Sequence, residues 1–173
     1  MNSKTKSANT QNARRMTTPN STIDLKRRQL LAGALLLALP RTWAAPGRLL
    51  VEVWKDPTCG CCRDWIAYLE KNGFEARVHD AGNTDARKRL GIPSQYGSCH
   101  TAVVDGYALE GHVPVREILR LLNERPNAIG LAVPGMPIGS PGMDGPEYGR
   151  RRDPYDVLLL ARDGMSRIFQ SYR

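Results

Sequence analysis

The chain has 173 residues, one domain's worth with a tail, and its composition is that of a globular protein rich in Gly and Pro and poor in aromatics. Its formal charge of +8 is concentrated at one end: residues 1–44 carry eight of the 25 Lys/Arg and one of the 17 Asp/Glu, which leaves residues 45–173 at +1. A nearly neutral remainder has no field of one sign to hold nucleic acid by counterion release, and the local Arg150-Arg151-Arg152 run reads as a solvated loop.

Residues 1–25 are polar, rich in Ser, Thr and Asn, and read as a disordered leader. Lys26-Arg27-Arg28 then precedes an apolar run from Leu30 to Leu39, Pro40 breaks it, and Thr42-Trp43-Ala44 supplies small residues for cleavage. Basic segment, short apolar segment and small-residue exit are the parts of a secretory signal. The run is about half the ~20 residues that cross a bilayer, so no stable membrane span is expected. Arg27-Arg28 followed by Gln29-Leu30-Leu31 is similar to a twin-arginine signal. The expectation is a cleaved leader over 1–44 and a mature domain over 45–173 in a bacterial periplasm.

Leu49 to Trp54 is apolar and β-prone, a first strand. From Cys62 the pattern becomes helical, with Trp65, Ile66 and Leu69 on one face, and Asn72-Gly73 closes that helix. Phe74 to Val78 alternates as a second strand, and 84–90 suits a short helix. Thr101 to Val104 and Tyr107 to Glu110 form a hairpin around Asp105-Gly106. Pro114 opens a helix carrying Ile118, Leu119, Leu121 and Leu122, which Pro126 stops. Residues 129–156 read as a Gly/Pro loop, and a last hairpin turns at Asp163-Gly164. The order β-α-β-α-β-β-α predicts an α/β, thioredoxin-like fold: a central mixed sheet with flanking helices plus a C-terminal β-hairpin that extends or flanks it.

The four cysteines carry the chemistry. Cys59, Cys61 and Cys62 lie at a strand-to-helix junction, where unpaired amides and the helix dipole lower a thiol's pKa. Cys59 and Cys62 have the spacing of a redox Cys-x-x-Cys pair, and Cys61 is extra. Cys99 precedes the third strand, which in this layout lies beside the helix N-terminus, so four sulfurs can converge. Soft thiolates select Cu(I), zinc or iron–sulfur. Structural zinc takes two separated pairs and iron–sulfur spacings match poorly. Cu(I), bridged by crowded thiolates, fits best. Two structural disulfides are the plain alternative, opposed by the strain expected in bonds among residues 59, 61 and 62.

Softer candidates surround the sulfurs. Strand alternation turns His100 away from Cys99, toward a hydrogen-bonding rather than a ligating role. His112 stands at a turn, where capping or surface exposure competes with metal contact. Met136 and Met143 offer thioethers in a proline-stiffened loop, as Cu(I) ligands or as gap-fillers over the core, and the loop suits a lid. Trp54 and Trp65 read as core, and His79 has no assigned role.

Trp54-Lys55-Asp56-Pro57-Thr58-Cys59-Gly60-Cys61-Cys62 with Trp65 resembles the signature of the CopG-like family of periplasmic copper-resistance proteins. Ser98-Cys99-His100-Thr101-Ala102, Glu110-Gly111-His112-Val113-Pro114, Pro134-Gly135-Met136-Pro137 and Gly139-Ser140-Pro141-Gly142-Met143 are similar to its other blocks, over about residues 50–172. The resemblance implies a thioredoxin-like fold, a copper cluster bridged by Cys59, Cys61, Cys62 and Cys99, and copper ions and other periplasmic copper-handling proteins as partners. It also implies copper resistance or trafficking that extends to Cu(I)/Cu(II) electron transfer, which leaves copper-oxidoreductase turnover an open question. A thiol–disulfide oxidoreductase using Cys59 and Cys62 is the competing function.

Overall fold

The computed structural model describes residues 47–173, so the leader expected over 1–44 lies outside the described residues. Among them, seven strands and three α-helices follow in the order β1 (Leu49–Lys55), α1 (Gly60–Lys71), β2 (Phe74–His79), α2 (Thr84–Arg89), β3 (His100–Val104), β4 (Tyr107–Glu110), α3 (Val115–Glu124), β5 (Gly130–Ala132), β6 (Tyr155–Leu160) and β7 (Ser166–Tyr172). The first seven keep the order expected from the sequence. No described helix is long and apolar enough to cross a membrane.

All seven strands join one mixed sheet in the order β2-β1-β3-β4-β5-β6-β7. β1 runs parallel to β2, and a parallel pair needs a crossover, which α1 provides. Cys62, Trp65, Ile66 and Leu69 of α1 are buried at the helical spacing the sequence predicted. Gly73 ends the helix with φ 91°, a conformation glycine takes without steric cost. β3 and β4 pair antiparallel around Asp105 and Gly106, both at positive φ as a tight hairpin turn of this hand requires.

Alternation along the strands separates two faces. Val51, Val53, Leu109, Leu131 and Leu159 face the main core with Trp65 and Leu69 of α1 and Ile118 and Leu121 of α3. Ala108, Ala132 and Leu160 face the other way, against Ile92 beyond α2. The sheet is thus covered on one face by α1 and α3 and on the other by the segment that follows α2.

Two sequence expectations fail here. The stretch read as a loop from 129 contains β5, a three-residue strand held parallel to β4 and antiparallel to β6. All three of its residues are buried. A strand covered on both faces carries no polar alternation to betray it, and three residues are too few for a period. Through β5 the C-terminal hairpin extends the main sheet. Trp54 is only partly buried: it stacks on His79, ring centroids 5.1 Å apart, and the Arg89 guanidinium lies over its ring at 5.0 Å.

A candidate metal centre at the mouth of α1

β1 delivers the chain to the site, and a local turn fixes where the cysteines begin. Asp56 accepts hydrogen bonds from the Thr58 amide (2.8 Å) and hydroxyl (2.5 Å), and the Cys59 amide donates to the Asp56 carbonyl at 3.1 Å. Cys59 therefore takes the N-cap position of α1 in an extended conformation, and Cys61 and Cys62 fall in the first helical turn.

Cys59 and Cys62 are joined by a disulfide, with Cα atoms 5.4 Å apart. This corrects the expectation of prohibitive strain within the motif: one helical turn brings residues three apart to the normal disulfide separation. Cys61 and Cys99 are free thiols. Cys61 Sγ lies 3.6 Å from Cys59 Sγ and 3.8 Å from Cys99 Sγ. Cys62 is fully buried, its Sγ 3.6 Å from the Cys99 carbonyl oxygen. All four sulfurs lie within 4.8 Å of one another, a group that could hold a metal ion. Two thiolates sharing a tetrahedral ion, with metal–sulfur bonds near ~2.3 Å, sit about 3.8 Å apart. The Cys61 contacts already have that spacing.

Cys99 is held by a buried polar clamp that sequence reasoning missed. The Glu110 carboxylate, with no solvent exposure, accepts from the Ser98 amide (2.6 Å), the Thr101 hydroxyl (2.6 Å) and Arg87 Nε (2.8 Å). Arg87 Nη2 and Asn83 Nδ2 both donate to the Ser98 carbonyl, at 2.6 and 3.1 Å. The Ser98 amide before Cys99 and the Thr101 hydroxyl after it are thus tied to one carboxylate. The available signal was Glu110 itself, an acid closing an otherwise apolar strand; nothing marked Arg87, 23 residues away.

Both histidines reach the sulfurs. His112, for which capping or surface exposure competed with metal contact, is fully buried with Nε2 3.1 Å from Cys99 Sγ. Its Nδ1 lies 2.8 Å from the Pro141 carbonyl oxygen, which can only accept, so Nδ1 carries the proton and Nε2 presents its lone pair to the sulfur. His100, expected to turn away, has Nδ1 3.4 Å from Cys99 Sγ. Cys99 precedes the first residue of β3, so strand alternation does not govern the pair. Trp65 packs on the His100 ring at 4.3 Å and donates from Nε1 to the Val113 carbonyl at 3.0 Å.

The loop from Pro134 to Asp144 lies against this assembly. The Ser98 hydroxyl donates to the Gly135 carbonyl. Gly142, at φ 80°, lies so close to α1 that a Cβ would come within 2.8 Å of the Cys61 carbonyl oxygen. Met143 is buried, its sulfur accepting from the Tyr148 hydroxyl at 3.5 Å, which favours the gap-filling reading. Met136 is 53% exposed.

Burial sets the protonation of the site. The Cys99 thiol is pushed up to about 12, first by burial and then by the neighbouring Cys61, so in the metal-free protein it is a neutral S–H that donates to His112. Burial lowers both histidines, His100 further because His112 stands beside it. The unfolded chain takes up these protons near the ordinary imidazole value of 6.5 and the folded chain does not. The contribution of these histidines is therefore complete above that pH and is lost as pH falls through and below it. We expect metal-free protein to lose up to about 1.4 kcal/mol per pH unit for each such proton, read as a falling urea midpoint between pH 7.5 and 5.5. Glu110, raised by burial, works in the opposite sense, its contribution being lost as pH rises. A flat urea profile across that interval contradicts the buried neutral imidazoles.

Comparison with known proteins agrees with this chemistry. Residues 96–143 match a family described as "Protein of unknown function, DUF411". No curated protein matches. Two solved structures match over nearly their whole length. "Copper resistance protein copG- Form 2" is 47% identical, covering 73% of this chain and 99% of that chain with a TM-score of 0.67. "Copper resistance protein copG- Form 1" is 48% identical, covering 72% and 98% with a TM-score of 0.66. With 47–48% identity over nearly the whole length of both structures, the chain belongs to the family of the copper resistance protein CopG.

Proposed function

We propose that this chain binds Cu(I) as cargo in a thiolate-bridged multi-copper site made by Cys59, Cys61, Cys62 and Cys99, and serves copper resistance or trafficking with Cu(I)/Cu(II) electron transfer. The observation that carries the reading is the position of Cys61, at 3.6 and 3.8 Å from its two neighbouring sulfurs. Thiolates at that spacing share soft ions, and each can bridge two of them. The frame suits the role: β2-β1-β3-β4 with α1 and α3 on one face and the segment after α2 on the other supports a thioredoxin-type layout with the site at the α1 mouth. Export to the periplasm by a leader over 1–44, leaving a 45–173 domain, belongs to the same reading.

Loading all four sulfurs requires the Cys59–Cys62 bond to be opened. Two electrons and two protons convert it to two thiols, and a dithiol donor leaves as its own disulfide. Copper then displaces the thiol protons. The test is an anaerobic Cu(I) titration of dithiol-reduced and disulfide-bonded protein side by side. Reduced protein should take more than one Cu(I) per chain, with thiolate-to-copper absorption in the ultraviolet, and oxidised protein fewer. Equal loading of both forms sinks the four-sulfur site.

The bonded Cys59–Cys62 pair favours one second reading, a thiol–disulfide oxidoreductase. It requires insulin or mixed-disulfide reduction without metal, and indifference to Cys99→Ser.

A further inference from the structure

We infer that β2 is an interface strand: two copies of this chain pair their β2 edges antiparallel, joining two seven-stranded sheets across a two-fold axis at Ala76. The sheet order leaves β2 at one end, with β1 on one side of it and, among the described residues, no strand on the other. Such an edge presents unpaired amides and carbonyls to any strand that can add to it.

The residues of β2 select the partner. Backbone groups that face the seam alternate along a strand, and an antiparallel ladder pairs residues that both face it or both turn away. In a self-pairing, odd-numbered residues of β2 therefore meet odd-numbered ones. Glu75 and Arg77 are both exposed and share one face of the strand. Centring the axis on Ala76 sets Glu75 against Arg77 of the second copy, and Arg77 against its Glu75. Centring it on Glu75 or on Arg77 sets like charges face to face, which destabilises a pair. The charges thus choose one register, and it is isologous, the arrangement that closes as a dimer. Glu52 of β1 stands beside Arg77, so in the dimer Arg77 lies between two carboxylates. On the other face Val78, 39% exposed, comes opposite Phe74 of the second copy as an apolar pair.

The opposite edge of the sheet lacks these properties. The ladder of β7 with β6 is broken by a register shift between Val157 and Leu158, and irregularities of that kind guard an edge. Ser166–Tyr172 holds Arg167 and no acid, so two β7 strands offer each other no opposite charge. β2 pairs with β1 through six consecutive residues in unbroken register. Charged side chains also guard edges, but a guard of both signs, two residues apart, admits its own copy.

Pairing leaves both copper sites open. β2 runs parallel to β1, so the two β1 strands of the dimer run in opposite directions. The two α1 mouths, each beyond the C-terminal end of a β1, then face away from one another. The dimer is therefore independent of the proposed copper function.

The test is sedimentation equilibrium of metal-free protein, kept reduced so that no intermolecular disulfide contributes, from micromolar to millimolar concentration. A short edge-to-edge contact predicts a weak, concentration-dependent dimer that salt loosens. Glu75→Arg and Arg77→Glu, both at exposed positions, should each weaken it about tenfold or more. An equimolar mixture of the two variants sets opposite charges against one another again and should associate as the parent does. A protein that stays monomeric throughout leaves the edge to a different chain and overturns the inference. Variants that dimerise like the parent, or a mixture no tighter than either variant alone, place the contact on another surface and overturn it as well. Open chains longer than dimers would mean that β2 adds to β7 of the next copy, with the same consequence.

Discussion

Cys61→Ser is expected to collapse the Cu(I) stoichiometry of the reduced protein while leaving its fold intact. Cys61 is half-buried, forms no disulfide, and presents its sulfur to Cys59 and Cys99. A substitution there should shift stability by no more than about 0.5 kcal/mol. Its effect on copper is disproportionate because it is the middle sulfur: without it, Cys59 and Cys62 remain as a chelating pair and Cys99 loses the sulfur 3.8 Å away that it would share an ion with. A hydroxyl is a hard donor and does not bridge Cu(I). The ultraviolet thiolate-to-copper band should weaken with the lost equivalents. Unchanged loading in Cys61→Ser would defeat the cluster and leave a two-cysteine chelate. The comparison is cleaner than removing Cys62, which is fully buried, so that its loss also disturbs packing.

Glu110→Ala is expected to give the largest loss of stability among substitutions near the site, about 3–5 kcal/mol. The carboxylate has no exposure and its guanidinium partner Arg87 has only 18%. Removing one member of a buried pair leaves the other uncompensated, and here the Ser98 amide and Thr101 hydroxyl also lose their acceptor. Glu110→Gln keeps the shape and part of the accepting capacity and should lose distinctly less. Denaturant unfolding of the two variants at pH 7 measures the difference. Because Ser98 and Thr101 flank Cys99, Cu(I) affinity should fall in the same order. A Glu110→Ala protein as stable as its parent would mean that the clamp contributes nothing.

Local pattern made most of the secondary structure readable. The helical face Cys62, Trp65, Ile66, Leu69 and the Asp105-Gly106 turn follow from periods and backbone preferences within one segment. The gathering of Cys99 with the motif was also legible, because a β-α-β unit followed by a hairpin brings the start of the third strand beside the first helix. β5 was not, since its three buried residues carry no period and Gly130 hides its purpose. A Cβ at Gly130 would come 1.7 Å from the Ala108 carbonyl oxygen, a contact visible only once β4 and β5 are paired. The burial of His112 was hidden for the same reason: the Pro141 carbonyl that orients it lies 29 residues away.

The sequence alone determined the inventory: four thiols, two nearby imidazoles, and a strand-to-helix junction that places three of those thiols within one turn. The tertiary structure decided which sulfurs bond, which stay free, and that both histidines turn their nitrogens toward Cys99. The reason is physical. Residue type and spacing fix what a segment can donate and which way its own backbone runs. Distances of 3 to 4 Å between atoms up to 38 residues apart are set instead by how the sheet, α1 and the Pro134–Asp144 loop pack on one another.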